Sequence, residues 1–495
     1  MAGFMIAAPR SGSGKTMVTC GILELLKRKQ KNPFSYKCGP DYIDGLFHRK
    51  VLGIEGGNLD SFFEQPQDMR EKYAAVSETH FPVVEGVMGY FDGLGGDTTA
   101  ASSWEVADIL DLPVVLVVDA KGASLSLAAL IKGFQVFQGE SQLSQANKNG
   151  NHIQAVILNR ISPMLYPRMK AVIEKETGVL VAGYVPELDF WQVGSRHLGL
   201  VLPGEIENLQ EQMRQLGDCL EKTLDVDVLL KLGEKADIDV LGSVTVTADG
   251  SSQKCEAQKN ADLVLQNQFA GEKISHSAIP IRLGVAWDEA FCFYYRDNLE
   301  FLEKQGVQIV QFSPVHDKHL PDDLDGLLLG GGYPELYAKA LEENETIRNE
   351  IRRKAEEDMP ILAECGGYLY LLKELEDENG TGYEMAGVFS GKGYKKGKNS
   401  HFGYITVQTE RDSLYLKAGE TIKGHEFHYW ESTQDENELK MQAKKPTGKR
   451  SWPCVTVKNQ VMAGFPHLYY PSLEGFGERF VQACDRYRMK RKRQQ

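Results

Sequence analysis

A glycine-rich segment near the start of the sequence, residues 8–16, has the composition of a phosphate-binding loop. It reads Ala-Pro-Arg-Ser-Gly-Ser-Gly-Lys-Thr and lies between an apolar run and an amphipathic one. Glycines let successive backbone N–H groups converge on phosphate oxygens, and the N-terminus of the following helix favours negative charge. The loop is a variant, because Pro9 stands where the strict motif has glycine. We predict that the phosphates of a nucleotide are bound by Gly12, Ser13, Gly14, Lys15 and Thr16.

Two carboxylates at the ends of predicted strands are candidates to complete a magnesium site with the Thr16 hydroxyl. Asp41 follows Cys-Gly-Pro, and Glu85 closes the apolar run 81–85. Mg²⁺ prefers oxygen ligands, and a carboxylate at the end of a buried strand is costly without a partner. Asp119 closes another apolar strand and is a weaker third candidate, while Asn159 is placed to read the adenine edge.

A second reaction centre is predicted in the other half of the chain, at Cys365. Residues 360–369 read Pro-Ile-Leu-Ala-Glu-Cys-Gly-Gly-Tyr-Leu, which predicts a buried strand, a sharp turn and a helix. A cysteine at such a turn is expected to expose its sulfur at a helix N-terminus, which lowers the thiol pKa. The glycines 330–332 would complete an oxyanion hole, and His467 is the predicted base.

Two further histidines, His425 and His428, lie three residues apart and raise the question of a metal. The sequence offers no third ligand at zinc-like spacing, so substrate contact or a structural role is favoured for them.

The composition describes a globular protein with no sign of nucleic-acid binding. The 495 residues carry a net charge of −13, whereas a nucleic-acid binder needs a basic face. No apolar run is long enough for a membrane span and no signal peptide is recognisable, which predicts a cytoplasmic protein that does not associate with membranes. The eight cysteines contain no Cys-x-x-Cys pair, which argues against a disulfide framework.

The elements that must position these residues form two α/β domains. Apolar strand-like runs alternate with helical stretches in the first half, which predicts a parallel sheet. A polar segment follows, and a second alternation begins at Ile281. We predict a P-loop domain over 1–235, a linker over 236–278 and a second domain over 279–495. Residues 138–151 and the lysine-rich stretch 431–450 are predicted to be loops. The strands predicted for the first half are 3–8, 81–86, 113–119, 153–159 and 180–185.

Several motifs together resemble the cobyrinate a,c-diamide synthase family. They span nearly the whole chain in family order: Ser-Gly-Ser-Gly-Lys-Thr (11–16), Gly-Pro-Asp-Tyr-Ile-Asp (39–44), Glu-Gly-Val-Met-Gly-Tyr-Phe-Asp-Gly (85–93), Arg-His-Leu-Gly-Leu (196–200), Ala-Glu-Cys-Gly-Gly (363–367) and Gly-His-Glu-Phe-His (424–428). The resemblance implies a domain similar to dethiobiotin synthetase followed by a class I glutamine amidotransferase-like, flavodoxin-like domain. It further implies that Tyr42, Asp44 and Asp92 lie at or near the corrin acid.

The family chemistry implied is a glutamine-hydrolysing carbon–nitrogen ligation that amidates the a and c carboxylates of cobyrinate, on the way to cobalamin. ATP would convert each carboxylate into an acyl phosphate, and a Cys365 thioester would release ammonia from L-glutamine. One departure concerns the glutaminase site: class I enzymes generally carry His-x-Glu, and here Tyr469 occupies the glutamate position. The family is known to lack that glutamate, so the group that orients His467 is unknown. A homodimer is one possible assembly.

Three alternatives remain open. The same chemistry could act on nickel-sirohydrochlorin or hydrogenobyrinate, or the chain could be a cobyric acid synthase, against which Gly-Pro-Asp-Tyr-Ile-Asp argues. A more distant alternative is a partitioning-type ATPase with an inert amidotransferase-like domain. Arg10 lies five residues before Lys15, where those ATPases carry a signature lysine. The net negative charge of the chain and the intact Cys365 turn argue against a partitioning-type ATPase.

Overall fold

The structure is a computed structural model. It describes residues 2–42, 47–137, 139, 152–191, 195–196, 199–200, 208–235, 280–396, 401–434, 439–448 and 450–494. Apart from position 139, the predicted loop 138–151 and the predicted linker 236–278 lie outside these residues, as does Asp44.

The first half forms the predicted parallel sheet. Its seven strands lie in the order β3-β2-β4-β1-β5-β6-β7, and every neighbouring pair is parallel. The central strands are buried on both faces, as the near-continuous apolar runs predict. The strands are β1 (Phe4–Ala7), β2 (Pro33–Cys38), β3 (Gly56–Leu59), β4 (Phe81–Glu85), β5 (Val114–Asp119), β6 (Ile153–Asn159) and β7 (Leu180–Val185), followed by a small pair, β8 (Ser195–Arg196) and β9 (Gly199–Leu200).

Helices cover this sheet and contribute to two hydrophobic clusters on its faces. They are α1 (Lys15–Arg28), α2 (Pro66–Ser77), α3 (Ser103–Leu110), α4 (Ser126–Val136), α5 (Tyr166–Thr177), α6 (Leu209–Thr223) and α7 (Val226–Lys235). Helix α1 starts directly at Lys15, and Gly14 before it has φ 94°, a left-handed conformation that favours glycine.

The second half is built on a ten-stranded mixed sheet in the order β11-β10-β12-β13-β22-β21-β20-β17-β18-β23. The first five are parallel neighbours and the rest antiparallel. Four further strands, β14, β15, β16 and β19, form a separate sheet in the order β15-β14-β16-β19. The strands of this half are β10 (Ile281–Ala286), β11 (Val307–Phe312), β12 (Gly326–Leu329), β13 (Ile361–Glu364), β14 (Glu374–Glu376), β15 (Gly382–Glu384), β16 (Lys392–Lys395), β17 (Phe402–Gln408), β18 (Thr421–Phe427), β19 (Trp430–Ser432), β20 (Leu439–Lys444), β21 (Ser451–Lys458), β22 (Val461–Gly464) and β23 (His467–Leu468).

The helices of the second half are α8 (Arg296–Lys304), α9 (Ala338–Glu343), α10 (Glu345–Glu356), α11 (Gly366–Leu371) and α12 (Glu474–Gln494). Within the described ranges, no helix combines the length and the apolar character that crossing a membrane requires.

The prediction of a loop over 431–450 is wrong where the structure describes that stretch. Residues 430–432 form β19, and β20 pairs with both β17 and β21. Met441 and Ala443 are buried at alternate positions of β20, but Gln442 between them and the lysines on either side give the stretch a polar composition that hides this period-two pattern.

Charged and aromatic side chains join the two halves. Lys72 on α2 lies 2.6 Å from Glu64 and 2.9 Å from Asp297 on α8 of the other half. Tyr404 donates a hydrogen bond to Asp60 at 2.9 Å. Lys423 donates one to the carbonyl of Phe62 at 2.6 Å. These contacts fix how the carboxyl ends of the two sheets face each other.

Replacing Lys72 by Met should leave the Glu64 and Asp297 carboxylates facing each other with no cation between them. Loss of one partner from a buried ionic network costs about 3 kcal/mol, and we expect a fall of that order in the free energy of unfolding, measured by chemical denaturation. Lys121→Met is the matched control: its ion pair with Glu187 is exposed and screened by water, so this variant should keep a free energy of unfolding close to that of the wild type. Equal losses in the two variants would contradict this role for Lys72.

Candidate functional site

The phosphate-binding loop has the predicted strand–loop–helix context. Ser13 Oγ donates to the carbonyl of Arg10 at 2.9 Å, and Lys15 Nζ donates to the carbonyl of Met88 at 2.5 Å. Asn159, at the end of β6, donates from Nδ2 to the Ser13 carbonyl at 2.8 Å. Asn159 therefore holds the loop from β6, a strand that β5 separates from β1 in the sheet. Its Oδ1 is buried and makes no hydrogen bond to any described residue, so the adenine-reading role stays a prediction.

Thr16 and Glu85, predicted as magnesium ligands, lie side by side. Thr16 Oγ1 donates to Glu85 Oε1 at 2.6 Å, and the fully buried carboxylate also accepts from Lys37 Nζ at 2.8 Å. Asp41 lies 3.8 Å from the same Lys37 nitrogen. Glu85 and Asp41 thus both face Lys37, a residue that was not predicted from the sequence, and Thr16 joins this group through its hydrogen bond to Glu85. Asp119 is instead ion-paired with Arg160 and, at 3.7 Å, with Arg10.

The segment 39–42 leaves this cluster and reaches the second half of the chain. Asn58 fixes it by donating from Nδ2 to the carbonyls of Gly39 and Asp41, both at 2.9 Å. The ring of the next residue, Tyr42, then packs on the second half. Asn58 could not be recognised from sequence because its partners are backbone carbonyls of another segment.

Asp92 lies in the loop 86–93 beside the phosphate-binding loop. Its Oδ2 accepts from the backbone N–H of Gly89 at 2.9 Å, and the Tyr90 N–H donates to the carbonyl of Ala8 at 2.8 Å. Asp92 is exposed and Met88 beside it is 42% exposed. The loop therefore combines a fixed backbone with side chains open to a ligand.

Cys365 occupies the sharp turn predicted between a strand and a helix. It follows β13, precedes α11 and has φ 49° and ψ −103°, a conformation that is strained for a non-glycine residue. Its N–H donates to the carbonyl of Gly464 at 2.8 Å, which pins the turn to β22. Such strain is typical of nucleophile turns, where the surrounding structure enforces it.

The glycine segment 330–332 lies between Cys365 and His467. A side chain at Gly331 would run into the His467 imidazole, and one at Gly366 would meet the backbone of Gly332. The N–H of Gly330 is already used, because it donates to Tyr294 Oη at 2.8 Å. The N–H groups of Gly331 and Gly332 therefore remain as the candidate oxyanion donors.

The cysteine and histidine are both buried and both held neutral. Burial raises the pKa of the Cys365 thiol well above its ordinary value, and the nearby Glu335 acts in the same direction. Burial also lowers the pKa of His467 to about 3, with His428 adding to the effect. This differs from the expected exposed sulfur of lowered pKa, because desolvation outweighs the dipole of a helix of only 6 residues.

Glu364, which the sequence analysis passed over, lies against His467. Its Oε2 is 4.0 Å from His467 Nδ1, and that nitrogen is buried with no hydrogen-bond partner among the described residues. Glu364 Oε1 accepts from Tyr470 Oη at 3.0 Å and from the Leu468 N–H at 3.3 Å. Burial raises the pKa of this carboxyl to about 8. The acid that faces His467 is thus Glu364, directly before Cys365 in sequence, and not a residue two positions after the histidine, where Tyr469 lies.

Tyr42 connects the two centres. Its ring centroid lies 5.3 Å from that of His467 and 5.7 Å from that of His425. The ring also stacks on Phe293 at 5.4 Å and contacts Tyr295 at 4.6 Å. One short segment therefore carries Asp41 in the phosphate-side cluster and Tyr42 against the cysteine-side histidine.

Two family models match the chain, one for each half. Residues 4–200 match the CobQ/CobB/MinD/ParA nucleotide binding domain, and residues 282–473 match the CobB/CobQ-like glutamine amidotransferase domain. A nucleotide-binding domain joined to a glutamine amidotransferase domain defines the class: a glutamine-hydrolysing carbon–nitrogen ligase of α/β fold.

Relatives of known name match both halves together. A cobyrinate a,c-diamide synthase of Caldanaerobacter subterraneus subsp. tengcongensis is 35% identical over 488 residues, covering 98% of this chain and 98% of that protein. Those of Streptococcus sanguinis and Salmonella typhimurium are each 37% identical, covering 94% and 86% of this chain and 95% and 85% of theirs. The chain belongs to the cobyrinate a,c-diamide synthase family.

The Glu364 geometry predicts a pH effect on glutamine hydrolysis. A carboxylate facing Nδ1 would stabilise a protonated imidazole, which is the form that His467 must reach if it acts as the predicted base. Because this carboxyl ionises only as the pH rises through about 8, wild-type hydrolysis should rise there, and Glu364→Gln should lack that rise. At pH 9 we expect the variant to be about tenfold slower, the effect of one pKa unit.

The matched control is Glu384→Gln, since that side chain is 77% exposed. It should follow the wild-type pH profile of glutamine hydrolysis. If the pH profile of glutamine hydrolysis were unchanged in Glu364→Gln, Glu364 would have only a packing role and no effect on His467.

Proposed function

We propose that this protein amidates the a and c carboxylates of cobyrinate in cobalamin biosynthesis, using ATP and L-glutamine. The observation that carries the proposal is the segment 39–42, which places Asp41 beside Lys37 and Tyr42 against His467. Such a connection is expected where an acid activated at one centre receives ammonia released at the other. The names of the full-length relatives supply the acceptor. We further propose that the synthetase domain ends near residue 235 and the amidotransferase domain begins near 279.

In the synthetase half, the proposed nucleotide-binding residues are Gly12, Ser13, Gly14, Lys15, Thr16 and Asn159. Lys15 would neutralise charge on the terminal phosphates of ATP. A carboxylate of the macrocycle attacks the γ-phosphorus and displaces ADP, which gives an acyl phosphate. This activation is needed because a carboxylate oxygen is a poor leaving group toward ammonia.

The residues present fit a magnesium ion. Glu85 Oε2 is buried and has no hydrogen-bond partner in the described part of the chain, and Thr16 is bonded to the other oxygen of the same carboxylate. Mg²⁺ prefers oxygen ligands of this kind: the Thr16 hydroxyl, the Glu85 carboxylate with its unbonded Oε2, and the nearby Asp41 carboxylate. Thr16, Glu85 and Asp41 would hold the ion, which would neutralise phosphate charge.

In the amidotransferase half, Cys365 is the nucleophile and His467 is the base. The thiol proton passes to His467 as sulfur attacks the side-chain amide carbon of glutamine, with Gly331 and Gly332 facing the oxyanion. Collapse of this adduct returns the proton to the leaving nitrogen, releases ammonia and leaves a thioester that water hydrolyses. Glu364 is a positioning residue for His467. The thiol and the imidazole are both neutral at rest. The thiolate–imidazolium pair is therefore proposed to form only when the amide carbon of glutamine lies next to the sulfur.

The acceptor is proposed to bind where loops 39–42 and 86–93 face the second half. Tyr42 and Asp92 are the proposed contacts, and Asp44, outside the described residues, remains a third. Gly39 lies against both Val87 and the Tyr404 hydroxyl, so the three segments meet at one place. Ammonia attacks the acyl phosphate carbon there and phosphate leaves.

Assays of the purified enzyme with cobyrinic acid, hydrogenobyrinic acid and nickel-sirohydrochlorin would determine the acceptor. The proposal requires cobyrinic acid to have the highest kcat/KM. The partitioning-type alternative receives no support from these relatives, which are cobyrinate a,c-diamide synthases.

Paired variants separate the two centres. Cys365→Ser should abolish glutamine-dependent amidation and keep ATP-dependent amidation with ammonia at high pH, because only the nitrogen source is lost. Lys15→Ala should stop amidation from both sources. Product is measured as the mass increase of the macrocycle. Cys219→Ser, a partly exposed cysteine on α6, is the control. Normal use of glutamine by Cys365→Ser would overturn the assignment.

Removing the Tyr42 ring should uncouple the two reactions. Tyr42→Ala removes the ring that packs against His467, so ammonia should escape to solvent. We expect the ratio of amide formed to glutamine hydrolysed to fall about tenfold or more, which corresponds to about 1.4 kcal/mol. Tyr42→Phe keeps the ring and should stay near the wild-type ratio. Parallel measurement of glutamate and amide gives this ratio, and an unchanged value in Tyr42→Ala would contradict the coupling role.

A further inference from the structure

Three potential metal-ligating side chains converge beside β17 and β18, away from the phosphate-side cluster. His401 immediately precedes β17, Glu426 is on β18 and His428 immediately follows that strand. One ligand atom from each lies within 4.8 Å of the other two. Glu426 and His428 are buried, at 1% and 6% exposure, and His401 is partly buried. His401 is the third ligand that local spacing around 425–428 could not supply, because strand pairing brings it in.

The hydrogen bonding of His428 points its remaining lone pair into this cluster. Nδ1 lies 2.6 Å from the carbonyl oxygen of Trp430, and a carbonyl can only accept, so Nδ1 carries the proton. In the neutral ring Nε2 is then a lone-pair donor. Within the described residues Nε2 makes no hydrogen bond, although it lies 3.7 Å from Glu426 Oε2. A buried imidazole fixed in this tautomer by a carbonyl is the arrangement found in metal-binding histidines.

The other two side chains are also held by neighbours. Trp452 Nε1 donates to both carboxylate oxygens of Glu426, at 3.1 and 3.3 Å. The ring of His401 stacks on Trp452 with centroids 4.3 Å apart, which holds the imidazole in place beside Glu426. The ring of His428 stacks on Phe465 at 3.9 Å. The cluster is therefore supported by a hydrogen-bonded and aromatic shell.

We propose that His401, Glu426 and His428 form a binding site for one borderline divalent cation of the Zn²⁺ type. Two imidazole nitrogens and one carboxylate suit Zn²⁺ and its neighbours in the transition series, whereas Mg²⁺ prefers oxygen ligands. A water molecule would complete a tetrahedral set. The site is separate from the proposed magnesium ligands and does not depend on the proposed function. It would fasten the end of β18 to the start of β17, near the strand that carries His467.

The test uses the full-length protein, stripped with a chelator and titrated with Zn²⁺ against a chromophoric competitor. Co²⁺ serves as a spectroscopic probe, because its visible absorption reports a low-coordinate site with nitrogen ligands. We expect the wild type to bind one more equivalent of Zn²⁺ than His401→Gln, and the midpoint of thermal unfolding to rise with Zn²⁺. His401→Gln changes the most exposed of the three ligands, so it should fold. His428→Gln should lose the same equivalent.

The matched control is His316→Gln, an exposed histidine 2.7 Å from the Glu289 carboxylate in the same half of the chain. It should bind Zn²⁺ like the wild type. Equal Zn²⁺ stoichiometry in wild type and His401→Gln would overturn the proposal. So would a His428→Gln variant that binds Zn²⁺ normally but has a raised KM for glutamine, because the cluster would then serve the ammonium group of that substrate.

Discussion

The contact between Tyr42 and His467 is the interaction on which the two-centre account depends. In the proposed reaction, a carboxylate activated by phosphate transfer must meet ammonia released from glutamine, which requires that the two sites communicate without passing through bulk solvent. The segment 39–42 links the two sites, because Asp41 lies 3.8 Å from Lys37 while the ring centroid of Tyr42 lies 5.3 Å from that of His467. Asn58 holds the backbone of that segment at two carbonyls, so the two side chains are positioned together.

The two centres handle charge in opposite ways. Around the phosphate-binding loop, Lys15, Lys37 and Glu85 are charged side chains arranged for a highly charged ligand. Around Cys365 the groups are buried deeply enough that the thiol, the imidazole and the Glu364 carboxyl all shift toward their neutral forms. For the proposed nucleophile Cys365, this arrangement means that the thiol stays protonated in the absence of glutamine, since desolvation makes a thiolate–imidazolium pair unfavourable on its own. The interdomain contacts of Lys72 and Tyr404 keep the two environments facing each other.

Local sequence patterns revealed much of this arrangement. The phosphate loop and the Cys365 turn each consist of adjacent residues in a strand–turn–helix context, and Glu85 was identified by its place at the end of an apolar strand. Lys37, Asn58, Glu364 and His401 were missed because their importance depends on partners far away in the chain. The loop prediction over 431–450 failed because the polar residues around Met441 and Ala443, among them the exposed Lys444, obscured the alternation of β20. Short edge strands such as β3 carry too few apolar residues to be recognised.

The most direct test of the account is the origin of the nitrogen in the product. The enzyme would be given glutamine labelled with ¹⁵N in the side-chain amide, together with unlabelled ammonium in excess, and the amidated macrocycle analysed by mass spectrometry. Passage of ammonia between the centres predicts that nearly all new amide groups carry ¹⁵N despite the unlabelled pool. Incorporation in proportion to the bulk ammonium would contradict a direct connection between Cys365 and the site of carboxylate activation.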